Sequence, residues 1–139
     1  MIEIPADVRE AMVAHALAEY PNECCGVLAG SLNGSPGEPA AVERFFPMRN
    51  ADASPVLYRL DPTEQFQVFK ELEEEGMDLV GIYHSHTHSE AYPADTDKQL
   101  ALYPEAHYLL LSLQQPDQPV LRGFTILDGV VEEQDVTIR

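Results

Sequence analysis

Positive charge is scarce in this chain. It has 8 Lys and Arg residues against 24 Asp and Glu residues, so its formal net charge is −16. Binding to a phosphate backbone needs a basic surface, and this composition therefore argues against nucleic-acid binding. Anionic membrane surfaces are disfavoured for the same reason. Two interpretations of the acidity remain open, namely solubility in concentrated salt and attraction to a basic partner.

Long apolar runs are also lacking. The run Leu109–Leu111 within His107–Leu113 is an example, and it is far shorter than the roughly 20 residues that span a bilayer. Residues Met1–Pro5 show no basic stretch followed by an apolar one, so we recognise no secretory signal and expect a cytoplasmic protein. The 139 residues are 45% hydrophobic, which predicts one folded domain over residues 1–139.

Cysteine is limited to the adjacent pair Cys24 and Cys25. A disulfide between neighbouring residues has poor geometry. Both cysteines lie in the apolar run 24–29, where a reduced thiol packs as a small hydrophobic group. We therefore expect two reduced, structural cysteines, in keeping with cytosolic redox conditions.

Hydrophobic periodicity and turn residues predict alternating helices and strands. The clearest helix begins at the capping sequence Asp61-Pro62-Thr63-Glu64 and ends at Gly76. The other predicted helices are 5–19 and one from Asp95 or Thr96 to about Tyr103. Strands are predicted at 24–30, 42–48, 58–60, 78–84, 107–113, 120–127 and 130–138, the last two joined by a tight turn. This order favours an α/β (α+β) domain with helices packed on a mixed sheet.

Two histidines lie at the end of the apolar strand predicted at 78–84: His84 is its last residue, and His86 follows two residues later. His84 and His86 would project to the same side of an extended chain, because side chains alternate along a strand. Two imidazoles on one side can reach one metal ion, and the third ligand must come from another element. Asp97 lies eleven residues after His86 at a predicted helix start. Two His and one carboxylate leave a fourth position for water, as in catalytic zinc sites.

Alternatives to this ligand set remain open. His88 could replace either histidine, although its polar surroundings indicate a loop position lining a cleft. Asp95 competes with Asp97 as the third ligand, but a role as helix cap is favoured for it. Iron and manganese also fit two His and a carboxylate.

A zinc-activated water benefits from a carboxylate that takes up its proton and passes it to the leaving amine. Glu23 is the candidate because it opens a strongly apolar strand. The alternative is an exposed glutamate at a strand start. With 24 acidic residues in the chain, the residue pattern alone does not decide between them.

Three segments together resemble the JAMM (MPN-plus) metalloprotease family. They are Pro21–Gly30, Gly81–His86 and Asp97. The family pattern is a glutamate followed much later by His-x-His, ten residues and an aspartate, and the resemblance covers nearly the whole chain. It implies zinc bound by His84, His86 and Asp97, Glu23 as general base, and an α-β-α layered fold similar to that of cytidine deaminases.

The short bacterial members are the most similar group, because Thr87 and the stretch 90–93 resemble theirs. Those members resemble peptidases that remove cysteine, or a conjugated protein, from the C-terminus of a ubiquitin-like sulfur-carrier protein. Such a carrier, with its C-terminal adduct, is therefore the implied partner. An extended carrier tail would lie beside a strand edge by β-augmentation.

One position departs from the family pattern. A serine usually follows Pro93 and helps to stabilise the oxyanion of the tetrahedral intermediate, but here the residue is Ala94. Loss of one oxyanion donor costs roughly 10²–10³ in rate. Zinc binding should survive, and Thr96 or Ser85 could supply a replacement donor.

The residues and the resemblance together give three candidate functions. The leading one is a zinc metallopeptidase acting at the carrier's C-terminus. The second is a binding module that holds zinc and the carrier tail but turns over slowly or not at all because of Ala94. A zinc nucleoside deaminase would need His-x-Glu and Pro-Cys-x-x-Cys, and the chain contains neither motif.

Overall fold

The structure is a computed structural model that describes residues 1–139. It contains three helices and eight strands. In chain order these are β1 (Ile2–Ile4), α1 (Ala6–Glu19), β2 (Cys25–Ser31), β3 (Ala40–Met48), α2 (Pro62–Glu75), β4 (Asp78–His86), α3 (Asp95–Gln99), β5 (His107–Ser112), β6 (Val120–Leu127), β7 (Val130–Gln134) and β8 (Val136–Ile138). None of the helices combines the length and the apolar character needed to cross a bilayer.

All eight strands form one sheet in the order β7-β6-β5-β4-β2-β3-β1-β8. The pairs β1–β3, β1–β8 and β4–β5 are parallel, and the other pairs are antiparallel. Only Asp135 separates β7 from β8, so the sheet curls until its two ends meet. The mixed α+β fold expected from the sequence is confirmed.

The two long helices cover opposite faces of the sheet. Helix α1 buries Val8 and Met12 in one cluster with Tyr83 of β4. Helix α2 buries Leu72 in a second cluster with Ile82, the preceding residue of β4. Because successive side chains of a strand point to opposite faces, these clusters lie on either side of the sheet. Helices on both faces give the predicted α-β-α layering.

Helix α2 begins and ends where the sequence predicts. The carboxylate of Asp61 accepts hydrogen bonds from the N–H groups of Thr63 and Glu64, both at 3.0 Å. Pro62 occupies the first turn, and Gly76 closes the helix with φ = 67°, a left-handed conformation that suits glycine. The predicted turn between β6 and β7 is also present, with positive φ at Asp128 and Gly129.

Three local predictions are wrong. The strand expected at 58–60 is reduced to a single bridge between Asn50 and Leu60. The segment expected as one strand at 130–138 is divided at Asp135 between the two ends of the sheet. Helix α3 ends at Gln99 rather than near Tyr103, since the N–H of Ala101 bonds to the carbonyl of Lys98, three residues back, and does not continue the α-helical pattern.

Candidate metal centre

Strand β4 places two histidines on one face at the end of the sheet. It lies between β2 and β5, where His84 is opposite Cys25 and His86 is opposite Ser112. His84 and His86 share the face of Ile82, which is the face that α2 covers. The predicted common orientation of the two imidazoles is therefore present in the structure.

Helix α3 brings Asp97 to these histidines. Its two carboxylate oxygens lie 3.3 Å from Nε2 of His84 and 3.0 Å from Nε2 of His86. The two Nε2 atoms are 3.3 Å apart. All three side chains are buried, and one potential ligand atom from each lies within 4.8 Å of the others. The structure thus brings the three predicted ligands together, and no fourth His, Cys, Asp or Glu belongs to the group.

The chemistry of this cluster fits a divalent cation. The carbonyl of Glu90 can only accept, so Nδ1 of His86 donates to it at 2.8 Å. This hydrogen bond leaves the Nε2 lone pair of a neutral His86 directed at the cluster, the arrangement usual for metal-bound histidine. His84 is held by Tyr58, whose ring stacks on it with centroids 4.1 Å apart. Two imidazole nitrogens and a carboxylate oxygen are suitable zinc ligands.

The protonation states of Asp97 and His84 also suit metal binding, whereas for His86 burial is outweighed by the hydrogen bonds with Asp97 and Glu90, which raise the pKa. Burial alone would raise the pKa of Asp97, but its hydrogen bonds with His84 and His86 outweigh burial and hold the pKa well below its usual range. Burial lowers the pKa of His84. An ionised carboxylate and a neutral imidazole are the forms that coordinate a metal.

Glu23 lies two residues before the start of β2 and is 5% exposed, so the alternative of an exposed strand-start glutamate is wrong. Its N–H donates to the carbonyl of Ser54 at 2.9 Å, and its own carbonyl accepts from Asn50 at 3.0 Å. Its side chain lines a cleft of about 270 Å³ together with His86 and Asp97. Burial raises the pKa of Glu23 to about 8; Asp97 adds to this rise and His86 opposes it. A cation beside Glu23 would favour the ionised form again.

Two residues considered as alternative ligands lie outside the cluster. His88 lines the cleft, where its ring nitrogens contact the hydroxyls of Tyr20 and Thr87. Asp95 has a side chain that is 97% exposed and lies 3.8 Å from Lys98. The cap role expected for Asp95 is wrong, because Asp95 is the first residue of α3 and Ala94 occupies the N-cap position.

Ala94 lines the cleft, as the position of the missing serine implies. Neither of the replacement donors considered from the sequence reaches this cleft. The hydroxyl of Ser85 is buried, where it accepts the N–H of Cys24 at 2.9 Å. Thr96 is exposed and is not among the lining residues.

Sequence reasoning missed the contribution of the segment between β3 and α2. Its Ser54 and Asn50 fix the backbone of Glu23, and its Tyr58 stacks on His84. Pro55 and Val56 line the cleft. This segment was predicted as a loop and a short strand, and an aromatic residue close to the cap Asp61 was the only signal of its role.

The fold and the cluster define a class: a mixed α+β domain with a buried His-His-Asp group compatible with a metal ion. The family of prokaryotic homologs of the JAB domain matches residues 5–126, and the chain belongs to this family. The resemblance to the JAMM family is thereby confirmed.

Three relatives illustrate this membership. The chain is 46% identical over 138 residues to the CysO-cysteine peptidase of Mycobacterium tuberculosis, covering 99% of this chain and 91% of that protein. It is 36% identical over 116 residues to a desampylase of Haloferax volcanii, covering 80% of each chain. A solution structure of a protein from Desulfitobacterium hafniense superposes with a TM-score of 0.88 at 37% identity, covering 100% of this chain and 93% of that one.

Proposed function

We propose that this protein is a zinc metallopeptidase that hydrolyses an amide or isopeptide bond at the C-terminus of a ubiquitin-like sulfur-carrier protein. The observation that carries this proposal is the cluster of His84, His86 and Asp97, of which His86 and Asp97 line one cleft with Glu23. Membership of the JAB family supports peptidase chemistry. The relatives named as a CysO-cysteine peptidase and a desampylase support a carrier adduct as the substrate.

His84, His86 and Asp97 would hold the ion, and Glu23 would move the proton. A bound zinc ion supplies polarisation of the scissile carbonyl and a lowered pKa for the attacking water. Glu23 accepts the proton of that water as it adds to the carbonyl carbon, and then donates it to the departing amine. The backbone hydrogen bonds of Glu23 with Ser54 and Asn50 hold this residue at the cleft.

The substrate would enter as an extended tail. Strand β4 has a partner strand on both sides, so the tail cannot pair with the strand that carries the histidines. The segment 55–59 is the alternative, because Pro55 and Val56 line the cleft. On its other side, Tyr58 and Leu60 line an apolar pocket of about 210 Å³. The backbone groups of Val56, Leu57 and Arg59 already bond to Ser54 and Asn50, so the tail would contact this segment through side chains and place an apolar one in that pocket.

Cleavage of a carrier–cysteine adduct by the zinc-loaded protein tests the proposal. We expect release of free cysteine by the wild type, and no release after zinc is removed by a chelator. The comparison with Ala94→Ser addresses the second candidate, the zinc-containing binding module, which the position of Ala94 in the cleft favours. No turnover by the wild type and rescue by Ala94→Ser would support the binding module instead.

A further inference from the structure

We propose that Ser89 provides the hydrogen-bond donor for the oxyanion that Ala94 cannot provide. This inference rests on the proposed hydrolysis at the same cleft. Addition of water to the scissile carbonyl forms a C–O bond and moves the carbonyl π pair onto oxygen, which becomes negative. A donor aimed at that oxygen stabilises the transition state. The proton of Ser89 remains on its own Oγ throughout.

The other hydroxyl and imidazole groups of the cleft are already committed. Of the lining side chains, Thr87, His88 and Ser89 carry polar hydrogens and lie outside the metal cluster. The Thr87 hydroxyl donates to the carbonyl of Pro55 at 3.1 Å. Its oxygen is therefore the acceptor of the 2.9 Å contact with Nδ1 of His88. In a neutral His88 the remaining nitrogen then accepts from the Tyr20 hydroxyl, at 3.2 Å, so neither Thr87 nor His88 has a free donor.

Ser89, in contrast, is an exposed residue of the cleft lining, its hydroxyl bonds to no other group of the protein, and its backbone is fixed. The hydroxyl of Ser112 donates to the Ser89 carbonyl at 2.6 Å, and Ser112 lies directly opposite His86 in the sheet. The next carbonyl, of Glu90, accepts from Nδ1 of His86 at 2.8 Å. Two hydrogen bonds thus tether residues 89 and 90 to the end of the strand pair that carries a predicted ligand. The Ser89 Oγ–H, which no protein acceptor engages, would then donate to the oxyanion.

Kinetics of the zinc-loaded full chain on a carrier–cysteine adduct test the inference. Ser89→Ala should lower kcat about 100-fold, the range for loss of one oxyanion donor, with KM and zinc content unchanged. A serine at position 94 should compensate, so kcat of Ser89→Ala/Ala94→Ser should be at least tenfold higher than kcat of Ser89→Ala. Ser35→Ala is the matched control, because Ser35 is exposed in the loop between β2 and β3, and it should match the wild type.

Affinity for a phosphinic analogue of the adduct gives a second readout. Its tetrahedral phosphorus and negatively charged oxygens resemble the tetrahedral intermediate, whereas the planar carbonyl of the unreacted carrier tail does not. By calorimetry, Ser89→Ala should weaken binding of the analogue about 100-fold and leave binding of the tail peptide unchanged. A purely structural role for Ser89 would change both affinities together, or neither.

The possible failures are distinct. If the wild type and Ser89→Ala cleave at equal rates, the role of Ser89 is overturned and the peptidase proposal stands. An inactive wild type that is activated by Ala94→Ser also overturns the role of Ser89, and it favours the binding module. If neither the wild type nor Ala94→Ser cleaves the adduct, the peptidase proposal is overturned and the role of Ser89 is overturned with it.

Discussion

At the scale of single residues, Asp97 connects the helix α3 to both histidines. One oxygen contacts Nε2 of His84, and the other contacts Nε2 of His86 while accepting the N–H of Ala94. The same carboxylate therefore orients the start of α3 and completes the cluster. Its neighbour Asp95, two residues earlier, points into solvent.

Asp97→Asn should therefore lower zinc affinity while Asp95→Asn leaves it unchanged. The amide keeps the size of the side chain but removes the negative charge that a cation needs. We expect a loss larger than the roughly 10–100-fold that follows removal of an outer hydrogen-bond partner. Competition with a fluorescent zinc chelator measures the affinity. Equal affinities in the two variants would exclude Asp97 as a ligand.

At the scale of elements, the cap of α2 stabilises the helix that covers the metal face. The Asp61 carboxylate accepts two backbone N–H groups and pairs with Arg49, which connects α2 to the end of β3. The burial of Leu72 then places the helix against Ile82, two residues before His84.

Asp61→Ala should lower the midpoint of thermal unfolding by several degrees, because the first turn of α2 loses its side-chain acceptor. Asp117→Ala is the control, since Asp117 is exposed in the loop between β5 and β6, and its midpoint should equal that of the wild type. Thermal denaturation followed by circular dichroism measures both. An unchanged midpoint in Asp61→Ala would show that the cap contributes nothing to stability.

The elements also show what could be predicted from the sequence. Helix α2 and strand β4 were predicted well because local signals define them: a cap, a glycine stop and an apolar run. Strand β1 was not predicted and β8 was not separated from β7, since β1 and β8 form only by pairing with each other and, for β1, with Ala40–Ala41. Long-range pairing leaves no local signature in three residues.

The same limit applies to the site. The His-x-His spacing placed His84 and His86 on one face, and the family likeness suggested Asp97 and Glu23. The burial of Glu23 was not predictable, because it depends on Ser54 and Asn50 in a segment without a regular pattern. Cytoplasmic location and the similarity to cytidine deaminases stay predictions.

At the scale of the whole molecule, the net charge of −16 dominates the surface. Six of the eight cationic side chains pair with acids; they are Arg44, Arg49, Arg59, Lys70, Lys98 and Arg122. Most of the remaining acidic residues have no positive partner, so the folded chain repels itself.

Added salt should therefore stabilise the protein. The screening length falls from about 10 Å at 0.1 M to about 3 Å at 1 M ionic strength, and the unfolding midpoint should rise by a few degrees between 0.1 M and 1 M NaCl. The control is a triple variant, Glu10→Lys/Glu38→Lys/Glu43→Lys, at exposed acids, which should show a smaller rise. A midpoint that falls with salt would contradict the role of self-repulsion.

The central claim is that Glu23 performs proton transfer beside a zinc ion held by His84, His86 and Asp97. The most direct test combines zinc content and carrier–cysteine cleavage in Glu23→Gln, with Glu105→Gln, at an exposed site between α3 and β5, as control. We predict one zinc per chain in Glu23→Gln and a rate lower by about 10²–10⁴, the usual contribution of a general base. Full activity in Glu23→Gln at equal zinc content would contradict the account.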